Sequence, residues 1–453
     1  MEPKGFIKEF KDFILEHVPT SNNWAENCAT AILSTIAGPE RYVLTRKGKL
    51  KLNTWFVIIG PSGIANKTLV LRDYVVPLLK KVGQKVGRDF ILPSSFSMEG
   101  MVEYLTRNNR GIIILNEVSV LLKIPYAKDY AVDLIEFLSE LYDGMIAKRY
   151  TRKAKLEEVV TCYVCLLGAT TPYFYNVLRP EIFSQGFGNR IMWELWSGQP
   201  KTYNEEELFL PLHDHAEIEK EMEMFAEGLS KLYQTRVKYF IPTPRAGKIL
   251  TSFYNETIQV AYEKYSNDKF NLASFYMARL GEYAIKLSAL HSFSRKWHFL
   301  DRLETETEHF VITEEDAEWA IEKTRYHFAM FQKLISEWET MPIKAKPVST
   351  EAIKQKILNV LAKHNGITTI GNILSETGST KESLKPYIIT LHEEGKIRFW
   401  LVTYGHHPKR AYVVALTNNA EEKLKKFLEE KKKKYANVKC TELINSKLIE
   451  TYW

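Results

Sequence analysis

The residues of this chain best suited to chemistry lie in a short turn that follows the apolar segment Trp55–Ile59. The turn contains glycines and is followed by a lysine and a threonine, a pattern typical of loops that bind nucleoside triphosphates. Its backbone N–H groups and the start of the next helix would contact phosphates, the lysine would neutralise charge, and the threonine hydroxyl would reach Mg²⁺. The predicted contacts with nucleotide are Gly60, Ser62, Gly63, Lys67 and Thr68.

The turn departs from the usual phosphate-binding pattern in two ways. It has one extra residue before the lysine, and Asn66 stands where a second glycine normally precedes Lys67. Taken alone, the match to the pattern is therefore only moderately specific. We expect the lengthened turn with Asn66, together with Asn116 described next, to affect rapid hydrolysis more than nucleotide binding.

A nucleoside triphosphatase also needs polar groups at the ends of later strands. The apolar run Gly111–Leu115 ends in Asn116 and Glu117, positions that normally hold the magnesium shell and orient the attacking water. Glu117 fits the second role, whereas Asn116 replaces the usual aspartate and offers Mg²⁺ less charge. A third apolar run ends at Thr170, which suits a sensor between the γ-phosphate and the water. The alternative for Glu117 is a surface glutamate after a core strand.

Two arginines are candidates for binding the charge that develops on the transferred phosphate. Arg190 follows a glycine turn just before another apolar run, and an arginine there would reach the γ-phosphate of a neighbouring subunit. Arg179 competes for that role. Arg279, which we predict to open a helix in the later helical region, would sense nucleotide from a lid.

These residues require an α/β core to position them. Residues 51–200 alternate apolar β runs with helices, which predicts a nucleotide-binding core with strands buried on both faces. Residues 1–50 predict a helical lead-in, and residues 201–340 predict an all-α lid because strand signals nearly vanish there. The predicted strands are Trp55–Ile59, Gly111–Leu115, Thr161–Gly168 and Arg190–Leu195.

A second domain is predicted beyond a proline-containing linker at 341–349. The pattern of residues 350–418 predicts three helices and a β-hairpin, which is the layout of a small α+β winged helix. Residues 419–453 are predicted to form a basic helical tail. In a winged helix the third helix enters the major groove and the hairpin tip touches phosphate, although some such domains bind only proteins. The predicted DNA contacts here are Lys381, Lys385, Lys409 and Arg410.

The charge distribution supports a polyanion-binding second domain. Residues 344–453 carry 20 lysines and arginines against 11 acidic residues, a net charge of +9, whereas the first 343 residues carry −2. We find neither a signal peptide nor an apolar run long enough to span a membrane, and we predict a cytoplasmic protein. The four cysteines, which we read as core thiols, are Cys28, Cys162, Cys165 and Cys440.

The order of the motifs resembles the P-loop AAA+ ATPases found in replication proteins of plasmids, viruses and integrated elements. These in turn are similar to the minichromosome maintenance helicases, including the lid and the winged helix after it. The resemblance covers roughly residues 20 to 420. It rests on the turn, the Asn116–Glu117 strand end, Leu141–Gly144, Gly168–Pro172, Gly186–Arg190 and Arg279–Glu282.

The resemblance implies an ATP-dependent DNA motor that requires ATP and Mg²⁺, a ring-forming and hexameric replicative helicase of a mobile genetic element. A replication initiator or a primase would be its partner. It further implies a basic hairpin that points into the ring channel, where Tyr150 would stack on a base; its other members are Lys148, Arg149, Lys153 and Lys155. An exposed turn with solvated lysines is the simpler interpretation of that segment. The alternative function is a DNA-binding initiator or loader that uses a weakened ATPase as an assembly switch.

Overall fold

A computed structural model describes residues 1–119, 121, 130–146, 149–150, 155–156, 160–199, 212–269, 271–302, 309–340, 350–377, 381–405, 409–435 and 437–443. They form a mixed α/β protein with two compact units, which are described separately. The first unit comprises Met1–Pro125 and Asp129–Lys346, and the second comprises Tyr126–Lys128 and Pro347–Trp453. The boundary at Lys346 falls within the predicted linker, 341–349, which lies outside the described residues.

The first unit contains both helices and strands throughout its length. Its helices are α1 Phe6–His17, α2 Asn22–Ala37, α3 Lys67–Val70, α4 Val76–Val86, α5 Met98–Arg107, α6 Tyr130–Asp143, α7 Pro180–Ser184, α8 Leu212–Gln234, α9 Pro244–Asn267, α10 Leu272–Arg295 and α11 Glu314–Thr340. Its strands are β1 Tyr42–Thr45, β2 Gly48–Lys51, β3 Trp55–Ile59, β4 Ile91–Leu92, β5 Arg110–Leu115, β6 Met145–Ile146, β7 Arg149–Tyr150, β8 Lys155–Leu156, β9 Val160–Thr161, β10 Tyr163–Thr170, β11 Met192–Leu195, β12 Tyr239–Pro242 and β13 His309–Ile312.

A five-stranded parallel sheet lies at the centre of the first unit, with the strand order β11-β3-β10-β5-β4. Every residue of β3, β5, β10 and β11 is buried, as expected for a parallel sheet with helices packed against it. The four predicted strands are confirmed, although the third is divided into β9 and β10. Because all strands run the same way, β3, β5 and β10 end at one edge, at Ile59, Leu115 and Thr170.

A second sheet corrects the prediction of an all-α lid. Strands β12 and β13, which lie within residues 201–340, join β1 and β2 in a four-stranded sheet with the order β13-β12-β1-β2. Here β1 pairs in parallel with β12, and β12 in parallel with β13. The predicted helical lead-in therefore also contains strands, and it contributes to the same hydrophobic core as the later helices.

Helix α2 shows why the first 50 residues belong to this core. Ser21 caps the helix by accepting a hydrogen bond from the N–H of Trp24, at 3.1 Å. Nearly all of its residues, including Cys28 and Ile32, are buried. A helix that is buried all round lies inside a domain rather than on its surface.

The second unit has the predicted element types and one addition. It contains α12 Thr350–Lys363, β14 Ile367–Thr369, α13 Ile370–Thr377, α14 Lys381–Glu393, β15 Ile397–Tyr404, β16 Lys409–Leu416, α15 Ala420–Lys434 and β17 Lys439–Glu442. The three helices and the hairpin are confirmed. The tail is not simply a solvated helix, because β17 pairs with β15 and the apolar side of α15 packs near Trp400 and Val413.

Three of the predicted core thiols are confirmed, since Cys28, Cys162 and Cys165 are buried, whereas Cys440 is exposed. Burial raises the pKa of Cys28 and Cys165, which keeps these thiols protonated. Among the helices of the described ranges, none combines the length and apolarity needed to cross a bilayer.

Candidate functional site

A tight loop of residues 60–66, here called the β3–α3 loop, joins β3 to a helical segment. Gly60 donates its N–H to the carbonyl of Thr170 at 3.1 Å, which ties the start of the loop to β10. A Cβ atom at Gly60 would lie 2.8 Å from that of Trp196 and 3.1 Å from that of Ala65. Gly60 is therefore required because no side chain fits at this close approach. At Gly63 a side chain would meet no neighbouring atom, but the φ of +74° favours glycine.

Asn66 takes the place of the expected second glycine because the backbone there is left-handed, with φ 48° and ψ 18°. Asparagine tolerates this region better than other residues with a side chain. Its amide also donates to the carbonyl of Pro19 at 3.0 Å, and the hydroxyl of Thr20 donates to the carbonyl of Ala65 at 3.1 Å. The segment before α2 thus supports the β3–α3 loop from outside.

Lys67 lies inside the curve of the β3–α3 loop. Its Nζ donates to the carbonyl of Pro61 at 3.3 Å, and the residue is only 4% exposed. Burial lowers the pKa of Lys67, while the negative charge of Glu117 opposes that shift. The ammonium group is thus largely removed from solvent, and among the described residues it is held at the loop by the neutral carbonyl of Pro61.

The loop and the following helix present unused N–H groups. In the described part of the chain, the N–H groups of residues 62–64 and 67–69 donate to no acceptor. The helix continues from Lys67 through a π-helical segment, Leu71–Val75, into α4 as far as Val86. The π-helical segment precedes Pro77, whose ring and missing N–H disturb the regular bonding of the helix. A helix start with free N–H groups attracts anions.

Glu117 and Thr170 meet at the same edge of the sheet. The buried Thr170 hydroxyl donates to Oε1 of Glu117, and the N–H of Ser119 donates to the same oxygen at 3.1 Å. The N–H of Val118 donates to the carbonyl of Ala169 at 2.9 Å, which fixes the chain after β5 against β10. Asn116 is exposed and Thr68 is half-buried at the start of α3.

Arg190 is not presented to a neighbouring subunit in this structure. It lies just before β11, at the amino edge of the sheet, and is 7% exposed. Its guanidinium forms a two-bond pair with Asp143, at 2.6 and 3.2 Å, and also donates to the carbonyl of Gly186 at 2.8 Å. The competing candidate, Arg179, is half-buried.

Arg279 lies about two turns inside α10, which corrects the prediction that it opens a helix. It pairs with Glu282 at 3.2 Å and lines a cleft of about 450 Å³ that also includes Gln185 and Asn189. Burial opposes its charge, but Tyr142, Glu282, Tyr283 and Asp143 together outweigh that effect, and the pKa of Arg279 is raised. Arg190 and Arg279 thus share one region, away from the β3–α3 loop.

Only part of the predicted DNA-contacting set is described. Lys148 and Lys153 lie outside the described residues, and Arg149, Tyr150 and Lys155 are described by backbone alone. That backbone forms an antiparallel pair of β7 with β8, beyond the pair of β6 with β9. In the second unit, Lys381 and Lys409 are also described by backbone, Lys385 is half-buried on α14, and Arg410 is exposed on β16.

A buried acid beside the loop was not predicted from the sequence. Glu194 of β11 accepts hydrogen bonds at Oε1 from Tyr326 at 2.9 Å and from Ser21 at 3.2 Å, while its Oε2 has no partner among the described residues. Burial raises the pKa of Glu194 to about 7. The sequence feature that could have indicated this buried acid is a charged residue within an otherwise apolar predicted strand.

Within the described ranges, no cluster of three histidine, cysteine, aspartate or glutamate side chains is arranged to hold a metal ion. No protein-family model and no curated protein sequence matches this chain. The family resemblance of the motifs stays a prediction, and the assignment of the candidate site depends on the geometry at the edge of the sheet.

Proposed function

We propose that this chain is an ATP-dependent DNA motor, a ring-forming replicative helicase that serves a mobile genetic element. One observation carries the proposal. Lys67, Glu117 and Thr170 lie together at the carboxyl edge of a parallel sheet, beside a loop with free N–H groups. Ligands of open α/β sheets bind outside this edge. The motor and replication roles are inferred from the motif order described above.

ATP would bind with its phosphates in the curve of the β3–α3 loop. The N–H groups of residues 62–64 and 67–69 would donate to phosphate oxygens. Lys67 would exchange its bond with the carbonyl of Pro61 for a charged phosphate oxygen, which is a stronger acceptor. Because Lys67 is already buried and held at the loop, little ordering is needed for this exchange.

Magnesium fits this site only as an ion that keeps most of its water. Thr68 and Asn116 offer one hydroxyl and one amide oxygen, and neither is charged. Mg²⁺ commonly binds in this way when substrate phosphates provide the remaining charge. Thr68 and Asn116 would therefore position the ion, and bound ATP would supply most of its affinity.

Glu117 would orient the attacking water and accept its proton. The Thr170 hydroxyl and the N–H of Ser119 both bond Oε1, which fixes the carboxylate and leaves Oε2 directed away from those donors. Thr170 is therefore a positioning residue in the absence of nucleotide, and it becomes a sensor when a γ-phosphate competes for its hydroxyl.

Arg190 and Arg279 would act on the nucleotide of the next subunit. Both lie at the amino edge of the sheet, whereas the β3–α3 loop lies at the carboxyl edge, so neither serves its own loop. Arg190 would have to leave Asp143 when subunits assemble. A hexameric ring provides this arrangement, because each subunit then offers its amino-edge arginines to its neighbour.

Paired substitutions test the nucleotide site. We expect Lys67→Ala to weaken ATP binding by about tenfold to a hundredfold, because a charged hydrogen bond to phosphate is removed. Glu117→Gln should bind ATP normally and hydrolyse it about a hundredfold or more slowly. Binding is measured with a fluorescent ATP analogue, and phosphate release with and without DNA. Lys80→Ala, an exposed lysine on α4, is the control.

Normal hydrolysis by both Lys67→Ala and Glu117→Gln would show that the site is wrongly assigned. Hydrolysis that DNA does not stimulate in the unaltered protein would instead exclude the motor while keeping the site. Thermal unfolding of each variant separates loss of function from loss of fold.

A DNA-binding initiator or loader with a weakened ATPase is the second candidate. The uncharged Asn116 favours it, because this residue offers Mg²⁺ no negative charge. The two hydrogen bonds accepted by Oε1 of Glu117 favour it as well, since that oxygen is already occupied and only Oε2 is left to bind a water. Only trace hydrolysis in the presence of DNA, together with ATP-dependent assembly in sedimentation, would select this function.

A further inference from the structure

The four-stranded sheet β13-β12-β1-β2 has one buried and one outer face. Val43, Phe240 and Phe310 point inward and are buried, and the rings of Phe240 and Phe310 contact Phe293 of α10. Because side chains alternate along a strand, their neighbours in sequence all point to the other face. That outer face is not required by the proposed nucleotide site.

An apolar row crosses the outer face. Leu44, Ile241 and Val311 are aligned on neighbouring strands and are 56%, 40% and 42% exposed. Single exposed apolar residues need no explanation, but three in register form a continuous patch. Such a patch on a folded domain indicates a binding surface.

An aromatic row lies two residues earlier on the same strands. The rings of Tyr239 and His309 are stacked, with centroids 5.9 Å apart and an interplanar angle of 7°. Tyr42 adds a third ring, 6.4 Å from Tyr239. All three residues are half-buried. Aromatic rows on open sheets are the means by which several nucleic-acid-binding domains stack unpaired bases.

The segments around β1, β2 and β12 are basic, whereas β13 lies among acidic residues. Residues 41–53 contain five lysines and arginines and residues 235–255 contain four, and neither stretch contains an acidic residue. On the outer face, Lys49 lies opposite Leu44 and its Nζ is 4.7 Å from the ring centroid of Tyr42. This charge complements a phosphate backbone and would repel a basic protein partner.

Lys51 links this sheet to the residues that flank the segment predicted to touch DNA. Lys51, which lies opposite Tyr42, donates to the carbonyl of Cys162 at 3.1 Å and to that of Gly144 at 3.3 Å. Gly144 immediately precedes β6, and Cys162 immediately follows β9. Lys51 therefore joins the sheet to the start of β6 and the end of β9.

We propose that the outer face of this sheet binds single-stranded nucleic acid. The bases lie against the row of Tyr42, Tyr239 and His309 and the adjoining apolar row, and the phosphates lie toward Lys49 and the β1–β2 hairpin. Duplex is a poorer ligand because its bases are already stacked on one another. The proposal concerns a surface separate from the β3–α3 loop and needs no ATP hydrolysis.

The test measures binding of fluorescein-labelled dT30 and U30 to the full chain without nucleotide, by anisotropy at several salt concentrations. Tyr239→Ala and Tyr42→Ala should each weaken binding about fivefold to a hundredfold, whereas Tyr239→Phe, which keeps the ring, should bind normally. Lys49→Glu should reduce the slope of log K against log salt by about 0.7 or more. The controls are Tyr262→Ala and Lys220→Glu, two exposed residues on α9 and α8.

Equal losses with dT30 and U30 identify a strand-stacking surface without sugar preference, and a loss with one probe alone identifies its natural ligand class. Unchanged binding by Tyr239→Ala and Lys49→Glu, in variants that fold normally, overturns the proposal. If Leu44→Asp changes only the oligomeric state in sedimentation and leaves dT30 binding intact, the face is an interface between copies of this chain, which also overturns it. Loss of ATPase activity alone bears only on the proposed function.

Discussion

At the residue scale, Asn66 shows how a departure from a sequence pattern can preserve the geometry that the pattern encodes. The usual glycine at this position permits a left-handed backbone, and Asn66 adopts that backbone with φ 48°. Its side chain then gains a hydrogen bond to Pro19 that glycine could not form. Asn66 therefore preserves the backbone conformation of the β3–α3 loop and adds a hydrogen bond that stabilises it.

Residue types at strand ends were predictable, but their partners were not. Glu117 and Thr170 follow apolar runs whose length and composition indicate buried strands, and parallel strands place their ends together. The pair between Arg190 and Asp143 joins residues 47 positions apart. Nothing in the local sequence of either residue indicates that pairing, because it depends on the packing of α6 against the sheet edge.

Glu194 predicts a pH dependence of stability. Its pKa is raised to about 7 in the folded protein, so between pH about 4.5 and 7 the folded state binds more protons than the unfolded state. Its contribution is therefore fully present below pH 4.5 and is lost as the pH rises through 7. Relative to Glu194→Gln, the free energy of unfolding should fall by up to about 3 kcal/mol across this range.

Urea unfolding of the wild type and of Glu194→Gln at about pH 5, 6, 7 and 8 measures this difference. The comparison with Gln removes the contributions of all other titrating groups, because the two proteins share them. Parallel curves for the two proteins at all four pH values would show that Glu194 is ionised in the folded state, contrary to the burial argument.

At the element scale, the central strands were identified because each is a run of apolar residues bounded by turns. Strands β1, β2, β12 and β13 were not identified, because each has only four residues, too few to establish a pattern, and β2 has no buried residue at all. Such short strands gain their stability from pairing with distant segments. Residue Tyr42 pairs with Tyr239, and no window of sequence contains both.

Arg41 joins several of these elements. Its guanidinium donates to the carbonyl of Ala37 at the end of α2, at 2.9 Å, and to those of Tyr233 and Thr235 at the end of α8, at 3.0 and 2.8 Å. Charged donors satisfy the free carbonyl groups at helix ends. Arg41 therefore links the end of α8 to the end of α2 through its hydrogen bonds. Burial lowers its pKa to about 10, so it remains charged at neutral pH.

Arg41→Met should therefore lower the free energy of unfolding of the first unit by about 3 kcal/mol or more, because several buried carbonyls would be left without their donor. Arg41→Lys should also be destabilising, since one ammonium group cannot reach both helix ends as a planar fork does. Arg236→Met, an exposed arginine next to β12, should change stability by less than about 0.5 kcal/mol. Guanidinium unfolding followed by tryptophan fluorescence measures all three, and equal midpoints for Arg41→Met and Arg236→Met would refute the role of Arg41.

At the scale of the whole molecule, each of the two units has its own hydrophobic core, and the net positive charge is concentrated in the second unit. Buried apolar residues of the first unit form one cluster, and those of the second unit form two others on the two faces of its sheet. Residues 347–453 carry 18 lysines and arginines against 11 acidic residues, which is +7 and equals the net charge of the whole chain. The first unit is therefore close to neutral, and its basic groups are concentrated locally.

This separation predicts the behaviour of a chain that ends at Lys346. Because its core is complete, it should fold and bind an ATP analogue with the affinity of the full chain.

The affinity of the shortened chain for duplex DNA should be lower and less dependent on salt, since the salt slope falls by about 0.9 for every phosphate that the protein no longer neutralises. Its remaining affinity for dT30 should depend on Tyr239, because the aromatic row lies in the first unit. Anisotropy titrations of both chains between 50 and 300 mM salt, roughly the range over which such interactions weaken strongly, measure these differences. If the shortened chain binds duplex as tightly as the full chain at every salt concentration, the second unit is not the DNA anchor and its positive charge serves another purpose.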